Sequence, residues 1–71
     1  MTDSEYQIEC TTRDLVAYLA NDFSFDLRLA LRTVYNSETF KKLCDIKTGL
    51  YFQSPRYVYD FLKNEITTGK L

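Results

Sequence analysis

Ser54-Pro55 is the strongest punctuation in the chain, and the residues after it fix the kind of element the C-terminal part can form. A serine oxygen accepts from a free N–H of a first helical turn, and proline at the first helical position gives up a donor that had no partner anyway. Val58, Phe61, Leu62 and Ile66 then recur at i, i+3, i+4 and i+8, which predicts one apolar stripe on a helix over about 55–66. Leu50-Tyr51-Phe52, just before the cap, is too brief for a helix of its own and is expected to be a short extended segment. Residues 50–62 hold five of the chain's eleven aromatic residues and its single proline.

The same period runs through the rest of the chain. Ile8, Leu15, Val16, Leu19 and Phe23 fit a helical stripe, interrupted by the β-branched pair Thr11-Thr12. One continuous helix over about 4–21 is expected, the alternative being a restart at Thr11, three residues before Asp14. Ser24 or Asp26 can cap the next helix, where Leu27, Ala30, Leu31 and Val34 give i, i+3, i+4, i+7 spacing. Arg28, Arg32 and Tyr35 fall on an adjacent face, and Leu29 lies nearly opposite the stripe. Asn36-Ser37 ends that helix and caps a short one over Glu38–Cys44, with Phe40, Leu43 and Cys44 inward and Lys41 and Lys42 outward. Residues 45–49 read as a turn, with Gly49 supplying a positive φ. The ends, about 1–5 and 67–71, are expected to be frayed, with Gly69 a stop signal.

Together these predict an all-α fold in a single domain over 1–71: a compact bundle of three longer helices plus one short helix. The expected core is Leu15, Leu19, Leu27, Leu31, Val34, Phe40, Leu43, Val58, Phe61 and Leu62.

The composition narrows function more by exclusion than by signature. With no histidine among 71 residues, acid–base work would fall to carboxylates, tyrosines, lysines or cysteine, and no two of these stand in a catalytic pattern. Asp22 and Asp26 flank a helix start, Asp60 sits between Arg56 and Lys63 on a solvated face, and Cys44 has no histidine to make it a thiolate. The two glycines are too far apart for a phosphate loop. Cys10 and Cys44 match no zinc spacing, so neither metal nor cofactor is expected. No apolar run approaches the ~20 residues of a membrane span. Beginning with a polar, acidic MTDSE and no apolar leader, the chain is expected in the cytoplasm, its two thiols reduced and buried as small hydrophobes.

A protein-interaction module remains as the expected function. Tyr35, Tyr51, Phe52, Tyr57 and Tyr59 cannot all be hidden in so small a core, and such residues are enriched at interface centres. Leu29, Tyr51, Tyr57 and Tyr59 are therefore the candidate interface, for self-association or a protein partner. The runner-up is a DNA-binding regulator with a helix–turn–helix-like element over 27–44, using Arg28, Arg32, Lys41 and Lys42. A net charge of −1 and a two-turn second helix argue against it.

Asn36-Ser37-Glu38-Thr39-Phe40-Lys41-Lys42-Leu43, then Thr48-Gly49-Leu50-Tyr51 and Ser54-Pro55-x-Tyr57-x-Tyr59, resemble a family of short bacterial proteins of unknown function. The resemblance spans about residues 15–66. It implies a compact helical fold in a bacterial cytoplasm and, because some families of this kind accompany toxin-like genes, an antitoxin-like or regulatory role. It assigns chemistry to no residue.

Thiol titration of freshly purified, denatured protein should find two reactive groups per chain. Finding none, with a mass two units low, would overturn the reduced state and the cytoplasmic expectation with it.

Overall fold

Each helix starts where a side-chain oxygen is available to its first turn. In the computed structural model, which describes residues 2–69, Thr2 accepts from the Glu5 N–H and opens helix α1, Asp3–Phe23. Asp26, rather than Ser24, accepts from Leu29 and opens α2, Leu27–Tyr35. Ser37 accepts from Phe40 and opens α3, Glu38–Cys44. Ser54 accepts from Tyr57, with Pro55 at the first helical position, and opens α4, Pro55–Thr68. Ser24 instead takes the left-handed conformation, φ 58°, that ends α1.

α1 is continuous through the threonine pair. Thr11 and Thr12 are both buried, and the Thr12 hydroxyl donates to the Ile8 carbonyl one turn back, at 2.7 Å. That bond lets a β-branched polar residue face the core without leaving a hydroxyl unsatisfied. Asp3 to Glu5 are helical and α4 runs through Thr67 and Thr68, so these stretches are not tails; Met1, Lys70 and Leu71 lie outside the described residues.

α1 and α2 pack on each other across a three-residue turn. α4 packs along α1 and α3. The core draws Leu15, Val16 and Leu19 from α1, Ala30 and Val34 from α2, Leu43 from α3, and Val58, Tyr59 and Leu62 from α4. Several expected core residues sit differently. Leu27 is 67% exposed, since it opens α2 and its Cβ leans back towards the helix start, past the body of the bundle. Phe61 lies at the edge of the α4 stripe and is partly exposed. Leu31 and Phe40 are half-buried against the core rather than within it.

Between α3 and α4 the chain makes two 3₁₀ turns, Ile46–Thr48 and Leu50–Phe52, hinged at Gly49 with φ 70°. The aromatic segment is therefore not extended. With no strand among the described residues to pair with, its backbone closes locally, Phe52 N–H to Gly49 and Gln53 N–H to Leu50.

One side chain ties the last helix to the third. Glu65 of α4 accepts from the Glu38 N–H at 2.8 Å, the Thr39 N–H at 3.1 Å and the Thr39 hydroxyl at 2.8 Å. The carboxylate thus caps α3 from outside and sits on the positive end of its dipole. Burial by itself would raise the Glu65 pKa, but these hydrogen bonds and the Lys42 ammonium outweigh it and hold the carboxyl below its ordinary value. A depressed folded-state pKa contributes stability above the unfolded value near 4.3, and that stability is lost as pH falls through the folded pKa. Glu65→Gln should cost about 1–2 kcal/mol at pH 7, with the gap between variant and parent closing below about pH 4. Urea midpoints at pH 7 and pH 3 check this; an equal gap at both would show that the charge is not what matters.

Candidate functional site

The seam between α1 and α4 is closed by a tyrosine rather than by an aliphatic residue. Tyr59 is fully buried, packs its ring against that of Tyr18 of α1 at 4.9 Å and tilted by 38°, and donates from its hydroxyl to Asp22 at 2.8 Å. The Arg56 guanidinium lies over both rings, 5.4 Å from the Tyr18 centroid and 5.7 Å from that of Tyr59. Burial raises the Tyr59 pKa, and the hydrogen bond to Asp22 and the Asp22 charge raise it further, so the phenol stays a donor. This corrects the expectation that Tyr59 lies off the core. The α4 stripe is centred on Pro55, Val58, Leu62 and Ile66, about 30° of rotation closer to Tyr59 than a stripe drawn through Phe61. Tyr59 is a packing residue and is not available on the surface of this chain.

The other candidate interface residues are separated. Tyr57 is exposed, meets Phe61 edge-on at 5.2 Å, and lines a small cleft with Leu50, Thr39, Lys42 and Thr48. Tyr51 is half-buried, with its ring 4.3 Å from that of Phe52 and tilted against it, near the first turns of α1. Leu29 is exposed on the far side of α2 and lines neither of these clefts.

A larger concave apolar surface lies elsewhere, along α1 beside α2 and α3. Its α1 bank is Glu5, Ile8, Glu9, Thr12, Arg13 and Val16. Leu27, Leu31 and Tyr35 of α2 form a second bank, and Phe40 and Cys44 of α3 close the end, around a volume of about 570 Å³. Leu27 and Tyr35 stand out of it, 67% and 53% exposed. The i, i+4, i+8 spacing of Leu27, Leu31 and Tyr35 was open to view in the sequence as a ridge. Reading Leu27 as core concealed that the ridge continues past the core into solvent.

The cysteines differ from expectation in burial. Cys10 is half-buried and Cys44 exposed at the groove end, both as free thiols, and the apolar surroundings push the Cys44 thiol up. A raised thiol stays protonated near neutrality and is a poor nucleophile. Among the described residues no group of Cys, Asp and Glu is placed to hold a metal ion, and no helix is long and apolar enough to cross a membrane.

The basic candidates are likewise dispersed in role. Arg28 and Arg32 are exposed on α2, Lys41 pairs with Glu38 at 3.3 Å, and Lys42 lines the small cleft. A recognition helix presents its N-terminal residues to base edges. Here the first N–H groups of α3 face the Glu65 carboxylate, which weighs against that use.

Compared with known proteins, the chain matches no family model, no curated protein and no solved structure.

Tyr59→Phe should keep the ring and lose the hydrogen bond, costing about 0.5–1.5 kcal/mol, whereas Tyr59→Ala should cost about 3–5 kcal/mol. Tyr59→Glu should unfold the chain, because its carboxylate would be buried without a partner. Urea denaturation of the three variants separates these outcomes.

Proposed function

We propose that this protein is a small non-enzymatic interaction module that binds protein, itself or a partner, through the apolar groove between α1, α2 and α3. The observation that carries this reading is the groove itself, about 570 Å³ in volume, with Leu27 and Tyr35 held out in solvent beside it. Large apolar side chains gathered at one concave surface lose free energy by being covered, and helix-lined grooves take apolar ridges at i, i+4 spacing. Tyr57 and Phe61 at the smaller cleft provide a second, lesser apolar surface. A regulatory or antitoxin-like role, as the resemblance over about residues 15–66 implies, would work through such binding alone and needs no reactive group.

Leu27→Glu tests this reading, since the side chain is mostly exposed and its loss should change stability by no more than about 0.5 kcal/mol. Helical content and urea midpoint should hold, while association, with itself by light scattering or with a co-eluting protein from the native host, should be lost. A Leu27→Glu variant that keeps every association of the parent would overturn the groove as the binding surface.

A further inference from the structure

The groove carries a polarity of charge that selects its occupant, given the reading that it is the binding surface. Along the α1 bank, Glu5, Glu9 and Arg13 recur one turn apart, all exposed. The bank is therefore acidic towards the start of α1 and basic one turn further on, at Arg13. Glu9 and Arg13 are spaced for an ion pair, yet among the described residues the pair within 4 Å is Lys41–Glu38 alone. Their charges are therefore left facing outwards.

We propose that the occupant is a second copy of this chain, docked about a two-fold axis that passes α1 between Glu9 and Arg13. Such an axis lays the two α1 banks antiparallel, so that Glu9 of each copy meets Arg13 of the other. It also carries Leu27 of each copy to the opposite end of the other's groove, against Phe40 and Cys44, where the projecting leucine fills the concave surface. The contact is isologous, closes at two copies, and sets charged pairs at the rim around an apolar centre. A standard protein interface takes about 800 Å² from each partner. That is roughly a sixth of this chain's 4827 Å² surface, so the contact must extend beyond the groove along the exposed faces of α1 and α2.

A charge swap tests the arrangement. The parent should sediment as a dimer at tens of micromolar, weakening as salt rises. Arg13→Glu alone and Glu9→Arg alone should each weaken the dimer at least about tenfold, because each places like charges at both ends of the interface. An equimolar mixture of the two folded variants should restore it, since every pair is again opposite in sign. In a Cys10→Ser background, alkylation of Cys44 should slow as protein concentration rises, which provides a measurement independent of the swaps. A parent that remains monomeric at every concentration, or a mixture that fails to restore the dimer while both variants keep their helical content, would overturn the second copy as occupant. A monomeric parent whose Leu27→Glu variant loses a foreign protein would do so while leaving the groove as the binding surface.

Discussion

The hydrogen bond from Tyr59 to Asp22 is the constraint on which the arrangement of the bundle depends. A tyrosine ring is large enough to fill the seam between α1 and α4, but its hydroxyl must find a partner when the ring is buried. Asp22 supplies that partner from the last turn of α1, thirty-seven residues earlier in the chain. The pairing joins α4 to the last turn of α1, while Val58 and Leu62 pack beside it into the same core. The Arg56 guanidinium lies over both rings at the outer edge of the seam.

With α4 held in that rotation, Glu65 is brought over the start of α3. Three hydrogen bonds to one carboxylate give a two-turn helix an anchor that its own length cannot provide, because helices this short are marginal alone. The α3 position then determines where Phe40 and Cys44 stand, and these close the end of the groove on α1. A chain of polar contacts at the centre of the fold thus shapes an apolar surface on its outside.

The abundance of exposed apolar side chains has a geometric cause. Nine hydrophobic residues suffice to fill the interior of a 71-residue chain, and a domain of this size covers only about 60% of the surface its unfolded form exposes. Leu27, Tyr35, Tyr57 and Phe61 remain outside for lack of interior to hold them. What distinguishes the groove from scattered apolar residues is contiguity, since three helices contribute to a single concavity.

Local sequence determined the helices and their starts. Thr2, Asp26, Ser37 and Ser54 act through atoms within three residues of themselves, and the local ambiguities were the choice between Ser24 and Asp26 and the continuity of α1 at Thr11. The all-α class, the break at Asn36-Ser37 and the positive φ at Gly49 come from the same short-range chemistry. The rotation of each helix about its axis did not. A stripe through Val58, Phe61, Leu62 and Ile66 and one through Pro55, Val58, Tyr59, Leu62 and Ile66 differ by a fraction of a turn, and both satisfy the period of the α-helix. Tyr59 goes inward where Asp22 can accept its hydrogen bond, Glu65 goes to α3 because α4 is turned that way, and Leu27 stays out because it opens α2 at the edge of the core. Each of these depends on a residue far away in sequence, which periodicity along one helix does not contain. The groove, assembled from α1, α2 and α3, exists only after those three rotations are set.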